Sequence, residues 1–332
     1  NEDHSVKLLA GQEILYGKSS TLTDIVQGYP SFFTSSEVFR LTTQGVPLSI
    51  DNEISADNKL LSFFGRANYD YKGKYLVSAT FRADGSSKFA EGNRWGYFPS
   101  AAVAWRISEE SFMEGLSSTL SNLKLRVSYG TAGNNNIVSG QMVQEFSSSN
   151  TTYINDVSGY WAVSSRMANP DLIWETTVTR NVGLDFGLFN NRLSGTVEAY
   201  LNTTSDLLID FPVSGTGYSS QFRNMGETEN KGVEASINWV AVDKKDFGLN
   251  FGFNFGMNKN KVKSLGIMED FGVASGWAST EIGTDYWIEQ GSPVGQIRGY
   301  LSDGRYEVSD FQGYDADADE WILKDGVTDN TS

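Results

Sequence analysis

The sequence predicts an all-β fold, a segment of a transmembrane antiparallel β-barrel, from strand alternation, strand length and the spacing of the connections. The stretch FGLNFGFNFGMN at residues 247–258 alternates bulky apolar side chains with Gly and Asn, which places the two kinds on opposite faces of a strand. Its twelve residues, at about 3.3 Å each and tilted by about 45°, span about 28 Å, close to the hydrocarbon thickness of a bilayer. We therefore expect the apolar row to face lipid and the Gly/Asn row to face the barrel interior.

The same alternation recurs along the chain. We expect about ten strands, at residues 5–15, 60–71, 75–84, 95–107, 122–130, 173–187, 193–202, 230–241, 247–258 and 293–304, the last with the weakest pattern. Their apolar rows begin, in order, with Val6, Leu61, Tyr75, Tyr97, Leu123, Val182, Leu193, Val233 and Phe247. The opposite rows are polar almost throughout.

Short and long connections alternate between these strands. Short ones lie at 71–75, 188–192 and 242–246, with an amphipathic piece at 108–116, and long ones cover 16–59, 85–94, 131–172, 203–229 and 259–292. Outer-membrane barrels have short periplasmic turns and long extracellular loops. Aromatic side chains at the short-turn ends form a candidate interfacial girdle, namely Tyr69, Tyr71, Tyr75, Trp105, Phe186, Trp239 and Phe247. A soluble sandwich would explain the alternation but not the strand length, the connections or the girdle.

Composition excludes several function classes. The net charge of −15 argues against a nucleic-acid partner, because nucleic-acid binding needs a basic surface. The chain has no Cys and one His, His4, which excludes thiol chemistry, a multi-His zinc site and a Ser-His-Asp triad away from that residue. No stretch approaches eighteen apolar residues, so a transmembrane helix is not expected. We expect no catalytic residue, metal or cofactor.

Several blocks carry a family resemblance. They are LLSFFGRANYDYKGKYLVSATFRADGSSKFAEGNRWGYFPSAAVAWRISEESFM (60–113), LKLRVSYGTAGNNNI (123–137), NPDLIWETTVTRNVGLDFGLFNNRLSGTVEAY (169–200) and NKGVEASINW (230–239). Together with a looser match at 293–307, they resemble the barrel of SusC/RagA-like TonB-dependent outer-membrane transporters of Bacteroidetes. The resemblance implies a Gram-negative outer-membrane importer of a large nutrient, an oligosaccharide or a peptide. It further implies TonB and a SusD-like surface lipoprotein as partners.

The resemblance also bears on domain organisation. Outer-membrane transporters of this type have 22 strands around a plugged lumen. About ten strands cannot close such a barrel, so residues 1–332 are expected to be part of the barrel domain, with the plug domain and the terminal strands absent. The alternative is that a SusC-like barrel serves as a structural or scaffold subunit of a larger outer-membrane complex.

Two groups of side chains are candidates for function. Charged residues predicted to face the lumen would contact a plug or line a substrate path, or else pair with one another across strands; they are Arg66, Arg82, Asp84, Arg106, Lys124, Arg126, Asp185 and Glu198. Polar and aromatic residues of the long loops would bind substrate, or else pack the loops together; they are Asn134, Asn135, Tyr160, Trp161, Trp277, Tyr286 and Trp287. The acidic stretch YDADADEWILKDG (314–326) has Glu320 and Gly326 where a calcium loop needs Gly and Glu. We expect a solvated loop, with weak cation binding as the alternative.

Overall fold

The computed structural model describes residues 3–154, 157–213, 215–276, 283–301, 304–317 and 319–327, with the backbone alone for 50–52, 147–154 and 157–162. The chain forms two compact units. One comprises Asn1–Phe271 with Ile288–Val294, and the other comprises Gly272–Trp287 with Gly295–Ser332.

Strands dominate the described residues. In chain order they are β1 His4–Gly17, β2 Ser20–Gln27, β3 Val46–Ile54, β4 Asn58–Tyr71, β5 Tyr75–Ser86, β6 Trp95–Arg106, β7 Leu120–Asn134, β8 Phe146–Ile154, β9 Val157–Val163, β10 Arg166–Met167, β11 Glu175–Leu188, β12 Leu193–Ser205, β13 Leu208–Pro212, β14 Ser220–Asn224, β15 Glu227–Lys244, β16 Phe247–Ser264, β17 Asp270–Val273, β18 Tyr286–Glu289, β19 Gln296–Ile297, β20 Phe311–Asp315 and β21 Glu320–Leu323. The helical segments are short: α1 Ser35–Arg40 and 3₁₀ turns at Thr42–Gln44, Ile107–Glu109, Ser111–Leu116 and Val308–Asp310. Among the described residues, no helix has the length and apolarity that crossing a lipid bilayer requires.

Nine long strands form one antiparallel sheet in the order β1-β4-β5-β6-β7-β11-β12-β15-β16. Each strand pairs with the next long strand along the chain, and the intervening strands belong to the loops. The predicted all-β antiparallel barrel segment is therefore confirmed. We refer to this sheet as the wall.

The prediction of a tenth wall strand at 293–304 is wrong. Among its described residues only β19 is a strand, and it pairs with β18. The wall strands are also longer than predicted at the long-loop end, where β15 begins at Glu227 and β16 continues to Ser264. The ladder continues there through polar residues, which the apolar alternation does not reveal. Within the described sheet, β1 and β16 are the two edges and do not pair with each other.

The register gives the wall one apolar and one polar face. Phe253 pairs with Ile237 on the apolar face, while Asn254 pairs with Ser236 on the polar face. The apolar face is highly exposed, with Phe253 61% and Met257 62% accessible. An apolar surface of this extent normally marks contact with another apolar phase or partner.

Several strand glycines lie beneath an aromatic ring of the neighbouring strand. Gly11 pairs with Phe64 and Gly232 with Tyr200. A Cβ at Gly11 would lie 2.5 Å from Cζ of Phe64, and one at Gly232 would lie 2.6 Å from the Tyr200 hydroxyl. The missing side chain therefore makes room for the ring, an arrangement that offsets the poor strand propensity of glycine.

The loops that follow β5 and β7 share a small hydrophobic core. Its buried members are Phe89, Phe98, Ile137, Leu172 and Trp174. Trp174 contacts both Phe89 and Phe98 with ring centroids 5.4 Å apart, and its indole N–H donates to the carbonyl of Arg94 at 2.8 Å. Because these residues come from β6 and two different loops, their packing fixes the loops against the end of the wall.

The loop that follows β12 is attached to this core by Asn224. Its amide donates to the carbonyls of Ile173 and Asp206 at 2.9 Å and accepts from the Ile173 N–H at 2.8 Å. Leu208 and Phe222 of the same loop pack against the core from outside. The three loops therefore form one packed layer.

We predict that Ile137→Ala destabilises this layer by about 2–5 kcal/mol, because it removes a buried aliphatic side chain. The matched control is Val138→Ala, because the Val138 side chain is 61% exposed. This substitution should cost no more than about 0.5 kcal/mol. Limited proteolysis of the full-length protein should cleave residues 135–174 faster in the Ile137 variant alone. Equal cleavage in both variants would contradict a packed loop layer.

Candidate functional site

A charged cluster lies on the polar face at the junction of β7, β11 and β12. The guanidinium of Arg126 donates twice to Asp185, from Nε at 2.9 Å and from Nη2 at 2.8 Å, and Nη2 also reaches Glu198 at 2.5 Å. Lys124 lies 3.7 Å from Asp185, and the amide of Asn181 donates to Glu198 at 3.4 Å. One cation thus links carboxylates on two successive strands with charge-assisted hydrogen bonds.

Gly183 makes this arrangement sterically feasible. It is the register partner of both Arg126 and Glu198, so it lies between them in the same row of the sheet. A Cβ at this position would lie 2.9 Å from Nη2 and 3.0 Å from Cζ of Arg126. The guanidinium therefore crosses β11 over a position where any side chain would obstruct it.

A second cluster lies nearer the loop end of the wall. Arg82 donates from Nε to Asp84 at 2.8 Å and from Nη2 to Glu13 at 2.8 Å. The ring of Phe64 lies beneath the guanidinium, with its centroid 5.5 Å from Cζ. Asp84 is buried, with 6% of its surface exposed, so its charge is neutralised mainly by this arginine.

The predicted lumen-facing charges thus divide into two groups. Arg82, Asp84, Arg126 and Glu198 pair with one another or with their neighbours across strands. Arg66 donates from Nε to the Asn68 amide oxygen at 3.2 Å, and neither Arg66 nor Arg106 makes an ion pair with any described residue. Lys124 and Asp185 belong to the paired group as well. All eight lie on the same face of the wall, and their contact with a plug or substrate stays a prediction.

Charge is unevenly distributed over the polar face. The strands β1 to β7 place on it Lys7, Arg66, Arg82, Arg106, Lys124 and Arg126, against Glu13, Asp70 and Asp84. The central charged side chains of β11, β12 and β15 on this face are Asp185, Glu198 and Glu234. On the cationic part lies a hollow of about 550 Å³, bordered by Lys7, Asn68, Lys124, Arg126 and Asn181 and floored by Ala102 and Ala104.

The two candidate asparagines of the loop layer already have intramolecular partners. Asn134 donates to Glu175 at 2.9 Å and accepts from the N–H of Asn136 at 3.0 Å. Asn135 donates to the Ser86 hydroxyl at 3.0 Å. These contacts close the loop layer, and the binding of substrate hydroxyls by either amide stays a prediction.

The candidate loop aromatics occupy separate hairpins. The described ones lie in β9 or β18 and are Tyr160, Trp161, Tyr286 and Trp287. For Tyr160 and Trp161 the backbone alone is described, and Trp277 lies outside the described residues. The ring of Trp287 is covered by the guanidinium of Arg298, whose Cζ lies 4.6 Å from the ring centroid. Their role in substrate binding stays a prediction.

Sequence reasoning missed Glu110, which connects the girdle at the short-turn end. The Tyr75 hydroxyl donates to its Oε1 at 2.6 Å, the Trp105 indole N–H donates to the same oxygen at 3.0 Å, and Lys74 lies 3.4 Å from Oε2. These hydrogen bonds, led by that of Tyr75, lower the pKa of the Glu110 carboxyl. Among the described residues, no group of three or more His, Cys, Asp or Glu side chains is arranged to hold a metal ion.

We predict that Gly183→Ala destabilises the full-length protein by about 1–3 kcal/mol, because the new methyl group displaces Arg126 from Glu198. Gly256→Ala is the matched control, since its Cβ would meet Glu234 at an ordinary 3.9 Å, and it should be neutral or stabilising by up to about 1 kcal/mol. Denaturant unfolding in detergent micelles measures both. The Gly183 effect should shrink in a Glu198→Gln background, and an undiminished effect there would contradict this mechanism.

The lowered pKa of Glu110 predicts a pH-dependent contribution to stability. The contribution is present above the ordinary carboxyl pKa and is lost as pH falls through the lower pKa of the folded state. Thermal unfolding of the full-length protein should show wild type more stable than Glu110→Gln at pH 7, with the difference declining once pH falls below the ordinary carboxyl pKa of about 4.3 and lost below the lower pKa of the folded state. The exposed neighbour provides the control: Glu109→Gln should leave the profile unchanged. A difference between wild type and Glu110→Gln that persists at the lowest pH would exclude the carboxylate as its cause.

Comparison with known proteins places the chain in a family. The family model described as TonB dependent receptor-like, beta-barrel matches residues 3–326. TonB-dependent receptor P3 of Formosa agariphila is 35% identical over 93% of this chain and 30% of its own length. TonB-dependent receptor SusC of Bacteroides thetaiotaomicron is 38% identical over 71% of this chain and 23% of its own length.

A solved structure, the RagAB peptide transporter, superimposes with a TM-score of 0.75 at 30% identity and covers 89% of this chain and 31% of its own length. The chain thus spans about a third or less of each of these relatives. They are named as receptors or as a transporter, in agreement with the prediction of a non-enzymatic chain. By its matched residues, its fold and these identities, the chain belongs to the TonB-dependent receptor β-barrel family, with SusC and RagAB among its relatives.

Proposed function

We propose that the chain forms part of the wall of a TonB-dependent importer in the outer membrane of a Gram-negative bacterium. Its cargo would be a large nutrient, an oligosaccharide or a peptide. The observation that carries the proposal is the wall itself, in which an exposed apolar face backs a face of charged and amide side chains. A sheet of this kind can separate lipid from a polar passage.

The height of the apolar face supports a membrane position. Trp95 and Trp105 lie ten residues apart on β6, which corresponds to about 33 Å along the strand and about 25 Å at a tilt near 40°. Each lies in an aromatic zone: Trp95 stacks on Phe63 with centroids 6.2 Å apart, and Trp105 is the register partner of Tyr75. Outer-membrane barrels have an apolar band of about 25 Å between two aromatic girdles.

The open edges of the wall support the proposal that it is completed by further strands. In hydrocarbon, each unpaired backbone N–H or C=O costs several kcal/mol, so β1 and β16 both need partners. The relatives are more than three times as long as the region they share with this chain. We therefore propose that neighbouring strands of the same polypeptide close the barrel around a plug.

The proposed partners follow from the family. TonB would supply energy through the plug, and a SusD-like surface lipoprotein would deliver cargo to the loop layer. Peptide as one of the two cargo classes is supported by similarity to a structure described as a peptide transporter. The packed loop layer supports a preformed entrance, because its core holds three loops in one arrangement.

The direct test is uptake by cells carrying the full-length gene. Fluorescent peptides and oligosaccharides of graded size should enter in a manner that requires both this gene and TonB. A scaffold role predicts a different result, in which deletion alters assembly of an outer-membrane complex while uptake of every cargo is unchanged. Uptake that persists without TonB would contradict the proposed energy source.

We predict that the two faces of β16 differ in water accessibility in the membrane. A water-soluble thiol reagent should label Asn254→Cys and leave Phe253→Cys unlabelled, since the two side chains lie on opposite faces. Phe253→Arg should cost about 2–4 kcal/mol of stability near mid-bilayer, whereas Asn254→Arg should be tolerated. Labelling at position 253 with protection at 254 would reverse the assignment of the faces.

A further inference from the structure

The hairpin β20–β21, in the second compact unit, presents exposed aromatic rings. Tyr314 and Trp321 are register partners with ring centroids 5.2 Å apart and planes inclined by 58°. They are 49% and 57% exposed. Phe311 also contacts Trp321, with ring centroids 5.5 Å apart, and is half-buried. The indole is thus supported within the hairpin while part of its surface stays accessible.

This hairpin lies in the most acidic part of the chain. Between residues 304 and 327 there are seven carboxylates, Glu307, Asp310, Asp315, Asp317, Asp319, Glu320 and Asp325, and two cationic side chains, Arg305 and Lys324. Both cations have local partners: Arg305 lies 3.5 Å from Glu307, and Lys324 donates to the carbonyl of Ser309 at 2.6 Å. Asp315 and Glu320 are register partners on the face of the hairpin opposite to Tyr314 and Trp321. The surface therefore favours a cationic ligand.

The same compact unit contains one tryptophan that is already paired with a cationic side chain. The ring of Trp287 is covered by the guanidinium of Arg298 at 4.6 Å. Among the described residues, no cationic side chain covers Trp321 in this way. A tryptophan face is the most favourable aromatic partner for Lys or Arg, and neighbouring carboxylates strengthen the attraction.

We propose that the β20–β21 hairpin binds basic peptides, with one Arg or Lys side chain on the Trp321 ring and further cationic groups along the surrounding carboxylates. Asp319 accepts a hydrogen bond from the Tyr314 hydroxyl and so positions the second ring and a carboxylate beside the first. This proposal is independent of the proposed import function, because the hairpin would bind a basic peptide whether or not the barrel transports that peptide.

A peptide fits this surface better than the other ligand classes. A metal ion would need converging ligands, and no such group of three exists among the described residues. A neutral sugar could stack on Trp321 but would make no use of the excess of carboxylates. A basic peptide uses both features.

The test is fluorescence anisotropy with full-length protein in detergent micelles. The probe is a fluorescein-labelled peptide of four arginines alternating with Gly and Ser, with a peptide of matched length bearing glutamines as control. We expect the basic peptide alone to bind, more weakly at 300 mM than at 20 mM salt because exposed charges are screened. Trp321→Ala should weaken binding about two- to thirtyfold. Phe112→Ala, which removes a 67% exposed aromatic ring elsewhere, should leave binding unchanged.

A second variant distinguishes loss of the binding surface from misfolding of the Trp321→Ala hairpin. The double substitution Asp317→Asn and Glu320→Gln keeps the rings and should also weaken binding, with a smaller salt dependence. Unaltered binding in both variants would overturn the proposal. So would Trp321-dependent binding of maltohexaose in place of the basic peptide, which would make the hairpin a sugar-binding surface.

Discussion

The antiparallel register of the wall is the constraint on which the other features depend. Side chains alternate between faces with a period of two, so a slip of one residue between β15 and β16 would move Phe253 to the polar face and Asn254 to the apolar one. Such a slip would place charged or amide groups in hydrocarbon, at a cost of several kcal/mol. The alternation thus selects a single register, and that register in turn decides which side chains of different strands become neighbours.

The Arg126 cluster shows what the register achieves. Arg126, Gly183 and Glu198 are far apart in sequence but lie in one row across three strands. The row joins the cationic part of the polar face, on β1 to β7, to the acidic part, on β11 to β15. At the boundary between the two parts, Asp185 and Glu198 therefore accept hydrogen bonds from Arg126 and offset its charge. Among the described residues, Arg66, Arg106 and Lys7 stay outside these ion pairs.

Much of the fold could be predicted from the sequence, because alternation of apolar and polar residues is a local property. The strands at 60–71 and 75–84 are found nearly as expected, as β4 and β5. Strand ends could not be predicted, since β15 and β16 continue through polar residues whose pairing depends on the neighbouring strand. The role of Gly183 and the core around Trp174 also escaped prediction, because each depends on contacts between residues distant in sequence.

The net charge of −15 is not spread evenly over the chain. The polar face of the wall carries cations on β1 to β7 that roughly match its acids, so the excess of carboxylates lies largely elsewhere. Residues 304–327 alone contribute seven carboxylates against two cationic side chains. A ligand at residues 304–327 would meet an acidic, aromatic surface, whereas one lying against the wall would meet opposite charges on the two parts of its polar face. Because the field at each position is set by the charges within about 10 Å, the net charge of the chain cannot predict the charge of a ligand bound at any one of them.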